Sequence, residues 1–128
     1  MNRKNYFLSI IDSATGATGT TVAGFSTSAG SSLSQLSNPN SIALEPNGTL
    51  YILDTNNYRV MKYLPGEPLG FPVAGSGVSG TTLDRIGTSY NMALDQQSNI
   101  YVSESSNHRV TKWTAGSADN ATIVCILI

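Results

Sequence analysis

Apolar and polar positions alternate in short runs along most of the chain, and no run sustains a helical period of 3.6. An apolar run from Ser41 to Leu44 meets Glu45-Pro46-Asn47-Gly48, whose Asn-Gly pair is a strong hairpin signal. Leu50-Tyr51-Ile52-Leu53 forms a second run, ending at Asp54, and Thr55-Asn56-Asn57-Tyr58 makes the next turn. Arg59-Val60-Met61-Lys62-Tyr63 then alternates as a half-buried strand does. After the Pro- and Gly-rich Leu64 to Pro68, Phe71-Pro72-Val73-Ala74 is a fourth strand. Pro72 has no N–H for a ladder, which places that strand at an edge or beside a bulge.

The whole pattern recurs. Ser41–Gly66 laid over Asn91–Gly116, a shift of 50 residues, matches eight identities in 26 positions without a gap. They include Ala43/Ala93, Tyr51/Tyr101, Asn57/Asn107, Arg59/Arg109 and Lys62/Lys112. Conservative pairs such as Ile42/Met92, Asp54/Glu104 and Tyr63/Trp113 fill the spaces between them. Val22-Ala23-Gly24 recurs as Val73-Ala74-Gly75, so part of a third copy precedes the first complete one. Four antiparallel strands per repeat of roughly 50 residues describe one blade of a β-propeller. The expected class is therefore all-β, a partial propeller built from four-stranded antiparallel blades.

On this reading, residues 1–19 are a degenerate N-terminal segment, part of an earlier blade. Residues 20–40 hold the last strand of that blade and a connection, 41–75 the first complete blade, 76–90 the inter-blade connection, and 91–128 the second blade.

The stretches Tyr51 to Val60 and Tyr101 to Val110 resemble the core of the NHL repeat, which runs as an apolar pair, an acidic residue, a polar turn with Asn, then Arg and an aliphatic residue. Ile42-Ala43-Leu44-Glu45 and Met92-Ala93-Leu94-Asp95 are similar to its first strand. The second copy departs from the pattern at Ser103, where a small apolar residue is usual, and at Glu104, where Asp is usual. Kelch blades have a comparable length, but no Gly-Gly pair occurs here, and Trp113 is followed by Thr114 rather than the Asp of a WD repeat. The resemblance implies a ring that usually closes with about six blades, of which this chain holds about two and a half. Such a chain exposes apolar sheet faces unless copies associate, and three copies carrying two blades each would complete the count.

Composition sharpens the class more than the function. Ser, Thr, Asn and Gly number 17, 13, 11 and 12 among 128 residues, an excess of turn formers that disfavours helical bundles. The 40% hydrophobic share is enough for a core, and the length suits one domain. Seven basic residues against eight acidic ones leave no basic field for nucleic acid. A single cysteine, Cys125, forms no internal disulfide or thiolate cluster. The apolar stretch Tyr6–Ile11 is short for a signal-peptide core, and no run reaches the roughly 20 apolar residues of a membrane span. The chain reads as soluble, with no compartment indicated.

Candidate chemistry is sparse. Asp54 with Arg59, and Glu104 with Arg109, recur in both copies and read as structural motif residues: the carboxylate takes turn N–H groups and the arginine pairs with an acid. Asn56, Asn57, Tyr58, Asn107 and His108 lie in the turns between second and third strands. Turns alternate between the two faces of a propeller, so these share a face with the connection Ser76 to Tyr90 and form the candidate binding face. A lone His builds neither a multi-histidine metal site nor a triad, and no G-x-S-x-G elbow is present. Gly75 to Gly80 mimics a phosphate loop but precedes no helix. No catalytic or metal-binding residue is assigned. The expectation is a non-catalytic binding or scaffold module for a protein or carbohydrate partner, without a cofactor. The alternatives are part of a calcium-dependent propeller lyase or lactonase-like hydrolase, since oxygen ligands suffice for calcium, or a truncated product without an autonomous role. Asn47-Gly48-Thr49 and Asn120-Ala121-Thr122 are glycosylation sequons, and Cys125-Ile126-Leu127-Ile128 has the outline of a prenylation box.

Overall fold

The structure, a computed structural model, describes residues 7–11, 19–25, 27–117 and 120–126. Ten strands and two short 3-10 turns account for its regular elements among these residues. A two-stranded ribbon, β1 (Phe7–Ile11) and β2 (Gly19–Gly24), comes first. The first complete blade is β3 (Pro39–Leu44), β4 (Leu50–Asp54), β5 (Arg59–Tyr63) and β6 (Phe71–Ala74), hydrogen-bonded in that order. The second blade is β7 (Ser89–Leu94), β8 (Ile100–Glu104), β9 (Arg109–Trp113) and β10 (Thr122–Ile126), ordered the same way. All pairings are antiparallel. The architecture is all-β, with two propeller-type blades and half of another.

Register identifies the half. In the first blade the pairing slips between Val60↔Ala74 and Met61↔Pro72, so a bulge sits beside the proline that cannot donate. In the second blade the slip falls between Val110↔Cys125 and Thr111↔Ile123. The ribbon slips between Leu8↔Ala23 and Ser9↔Thr21. The same irregularity at the same step makes β1 and β2 the third and fourth strands of a preceding blade. The expectation that residues 1–19 belong to an earlier blade falls partly outside the described residues; within them lies β1, paired with β2 in a two-stranded ribbon.

Alternation along β4 divides the core. Tyr51 and Leu53 face the second blade, joining Val60, Ile86, Met92, Ile100, Val102 and Trp113 in one buried cluster. Leu50 and Ile52 face the ribbon, joining Ala23, Leu36, Met61 and Tyr63 in another. The first blade is thus clamped on both faces, each fully buried apolar side chain contributing about 1.5–3 kcal/mol. Polar ties run along the same seam: Thr55 Oγ1 donates to Ser89 O at 3.0 Å, and the backbone N–H of Met92 donates to Ser41 Oγ at 3.2 Å.

One glycine is demanded by close approach. Gly75 has φ of +80°, and a Cβ there would stand 2.3 Å from the Tyr58 carbonyl oxygen. The Val-Ala-Gly signature therefore marks the place where the outer strand leaves the blade against the turn after β4.

Candidate functional site

Each second strand ends on a carboxylate that is buried completely. Asp54 and Glu104 are both 0% exposed, and a buried charge persists only when it is paired and hydrogen-bonded. Asp54 Oδ2 accepts from Arg59 Nε and from Asn57 Nδ2, each at 2.8 Å, while its Oδ1 accepts from the Ser37 backbone N–H at 2.7 Å. The guanidinium then donates outward to three main-chain carbonyls, Ser31 at 2.8 Å and Ser32 and Gln35 at 3.0 Å. A planar donor fork suits this task, because one cation serves one carboxylate and several carbonyls in a fixed geometry. Its effect is to strap the inter-blade connection onto the turn.

The second blade builds the same knot with a longer acid. Glu104 Oε2 accepts from Arg109 Nε at 3.1 Å, Asn107 Nδ2 at 2.7 Å and the Gly87 backbone N–H at 3.1 Å. Arg109 donates to the carbonyls of Thr81, Thr82 and Arg85. The extra methylene carries Oε1 to Thr111 Oγ1 at 2.8 Å, and Thr111 in turn accepts from Trp113 Nε1 at 3.2 Å. Thr111 occupies the place of Met61, so the longer acid and the hydroxyl stand together in one blade and their counterparts in the other.

These knots position the turn face. The 3-10 turns Thr55–Asn57 and Ser105–Asn107 each end on a left-handed residue, Tyr58 at φ 48° and His108 at φ 52°. Asn56 and His108 are exposed, and Tyr58 is half-buried. Asn57 and Asn107 differ from their neighbours: besides the acids they hold the carbonyls of Gly30 and Gly80, each at 2.8 Å. The five candidate binding residues thus lie on one face with the connections, but two of them have their side-chain amides committed to the knot. The sequence signal for that role is their identity in both copies, three residues after the acid and two before the arginine.

The opposite end carries the hairpin turns after β3 and β7. Asp95 Oδ1 accepts from the Gln97 and Asn99 backbone N–H groups at 2.9 Å, and its Oδ2 from Asn99 Nδ2 at 2.8 Å. Hydrogen bonding, led by the Asn99 side chain, holds the Asp95 carboxyl below the usual range against the opposing effect of desolvation. Glu45 accepts from Ser98 Oγ across the blades. An open cleft lies between these turns, lined in part by Glu45, Asn47, Asp95 and Ser98. A second, apolar groove of about 570 Å³ runs between the ribbon and the first blade, past Val22, Ile42, Leu44, Leu50 and Tyr63.

Among the described residues no group of three or more His, Cys, Asp or Glu side chains is gathered to hold a metal. Among them, too, no helix is long and apolar enough to cross a membrane. Cys125 is exposed on β10, opposite Val110. Asn47 Oδ1 accepts from the Thr49 backbone N–H at 2.9 Å, closing the hairpin turn.

Residues 36–63 match the family model of the NHL repeat. The match runs from Leu36 through β5 and takes in the knot of Asp54, Asn57 and Arg59. No curated protein matches the chain.

Proposed function

We propose that the chain is a non-catalytic binding module of the NHL propeller type, which presents the turn face to a protein or carbohydrate partner. The observation that carries this reading is the repeated knot. In both blades a buried acid, an asparagine and an arginine are used to hold one short turn rigid, and at its tip stand the exposed Asn56 and His108 and the half-buried Tyr58. A rigid turn presenting polar and aromatic groups loses little entropy when a partner binds. Exposed loops on a rigid scaffold are also where binding residues concentrate.

Homo-association is a companion proposal. The outer face of the second blade presents Tyr101, Val110 and Lys112 where the first blade presents Tyr51, Val60 and Lys62 to its neighbour. The mass of the purified chain, from light scattering during size exclusion, tests it: a discrete oligomer supports association, and a stable monomer removes it.

The binding reading is tested with glycan and peptide arrays, using the natural chain and a Asn56→Ala/Tyr58→Asn/His108→Asn variant. Asn at the last two positions tolerates the left-handed backbone. Saturable binding of one ligand class, lost in the variant while its urea midpoint is kept, is the expected result. Equal binding by both chains rejects the turn face as the site.

A further inference from the structure

Asn47 differs from the other turn asparagines in what its side chain holds. The amides of Asn40, Asn57, Asn99 and Asn107 donate to protein oxygens, whereas Asn47 Nδ2 donates to none among the described residues. Asn47 stands exposed in the hairpin turn between β3 and β4, and of the 11 asparagines in the chain it alone precedes a glycine. A glycine leaves its own main-chain nitrogen uncrowded. Two bonds keep that nitrogen and the Asn47 amide apart: the Gly48 N–H donates to Glu45 O, and Asn47 Oδ1 accepts from the Thr49 N–H, each at 2.9 Å. Both lie at an exposed hairpin tip, and such a tip opens without unfolding of the blade. The same turn is closed by the Glu45 N–H, which donates to Thr49 O at 2.9 Å, and the Glu45 carboxylate accepts from Ser98 Oγ of the second blade. Glu45 is therefore a latch across the seam, held in place by the closure of this turn. At the matching turn of the second blade the pair is Gln97 and Ser98.

We propose that Asn47 is a spontaneous modification site, and that the isoaspartate formed there releases the Glu45 latch between the blades. When the tip opens, solvent base removes the Gly48 amide proton and the nitrogen attacks Cγ of Asn47. The new N–C bond closes a cyclic imide, and Nδ2 takes up a proton and leaves as ammonia. Water then cleaves one of the two imide N–C bonds. Cleavage at Cγ gives aspartate on the ordinary main chain, and cleavage at the main-chain carbonyl gives isoaspartate, with the chain running through Cγ. The balance is asparagine plus water to the acid plus ammonia, with no oxidant and no enzyme. Aspartate keeps the turn, because a carboxylate oxygen accepts from the Thr49 N–H as the amide oxygen does. Isoaspartate puts one more carbon into the main chain between Glu45 and Thr49, so both backbone bonds of Glu45 lose their register. Its carboxylate also joins Glu45 and Asp95 in the cleft, where like charges repel. The site lies at the end opposite the turn face and stands or falls independently of the binding reading.

The test keeps the purified full chain in mildly alkaline buffer and follows its asparagines by peptide mapping, with electron-transfer fragmentation to separate aspartate from isoaspartate. Asn47 should be the first asparagine converted, about tenfold more slowly than in a synthetic peptide of residues 43–51, because the folded turn must first open. In concentrated urea the two rates should agree. Pro46→Gly, which loosens the turn, should speed conversion in the folded chain by about two- to fivefold. The isoaspartyl chain, purified by chromatography, should show a lower urea midpoint, whereas Asn47→Asp, with the same charge on an ordinary main chain, should keep the natural one. In a Glu45→Ala background, which lacks the latch, isoaspartate should lower the midpoint by less. Another asparagine converted first, or a folded chain reacting as fast as the peptide, overturns the gated site. An isoaspartyl chain with the natural midpoint, or an equal drop in the Glu45→Ala background, overturns the release of the latch.

Discussion

Arg59 Nε lies 2.8 Å from Asp54 Oδ2, and neither side chain reaches solvent appreciably, at 8% and 0% exposure. The pair is buried between the turn and the inter-blade connection, so its attraction is little screened, while its desolvation cost is met by hydrogen bonds to both partners. Removing one partner therefore differs from weakening a surface ion pair. Asp54→Asn leaves the guanidinium buried without its countercharge and should cost about 3–5 kcal/mol, a large part of the stability of a small domain. Arg59→Lys keeps the charge but, with one of its three N–H groups on Asp54, leaves at least one of the three strapped carbonyls without a donor and should cost about 1–3 kcal/mol. Urea unfolding followed by circular dichroism measures the loss. A change below about 1 kcal/mol would show that solvent reaches the pair.

Thr111 links Glu104 to Trp113. Thr111→Val keeps the shape but removes the acceptor for Trp113 Nε1 and the donor to Glu104 Oε1. Two buried groups then lose partners, for an expected loss of about 2–4 kcal/mol. Trp113 is the only tryptophan, so its fluorescence follows unfolding directly and registers the changed surroundings of its ring. Unchanged stability would mean that water replaces the hydroxyl.

Tyr63 presents the opposite case. Its hydroxyl is buried with no hydrogen-bond partner among the described residues. Tyr63→Phe should leave stability unchanged or raise it by up to about 1 kcal/mol near neutral pH. Burial also raises the Tyr63 pKa, with Arg59 opposing and Asp54 reinforcing the shift. The folded state therefore disfavours the phenolate. The tyrosine contribution to stability is full below the ordinary value of 10.0 and is lost as pH climbs toward the raised one. Urea midpoints of the natural chain should fall more than those of Tyr63→Phe between pH 9 and pH 11.5. Parallel curves would locate the alkaline loss elsewhere.

Asp95 acts at the acid end. Its carboxyl is held below the ordinary value of 3.8, chiefly by the Asn99 side chain. The folded state therefore favours the carboxylate, and the stability it contributes is present above that value and lost as pH falls through the depressed folded pKa. Carboxyl NMR should place the Asp95 midpoint below those of exposed aspartates. Asn99→Ala, which removes the leading cause, should move it back upward. No movement would assign the shift to the backbone N–H donors instead.

Much of this architecture was legible in one sequence because a repeat reports itself twice. The pairs Tyr51/Tyr101, Arg59/Arg109 and Lys62/Lys112 set the register of both blades, and alternation of apolar residues with turn signals set the strands. First strands begin slightly earlier than the apolar pattern suggests, at Pro39 and Ser89, because their opening residues pair with Asp54 and Glu104 across a bulge. The binding-face candidates were less legible. Asn57 and Asn107 look like ordinary turn residues until the acid, the arginine and the connecting carbonyls are brought around them from residues up to 27 positions away.

By itself, then, the sequence determined the strands, their order and the repetition of one four-stranded unit, since these follow from local periodicity and turn chemistry. Only the tertiary structure decided which faces of those units are covered. Tyr51 and Tyr101 are identical residues in matching strands, yet the first is buried and the second half-exposed, because among the described residues only the first has a neighbouring sheet against it. Burial is a property of what a surface packs against, and two positions with the same local sequence carry no record of their different neighbours.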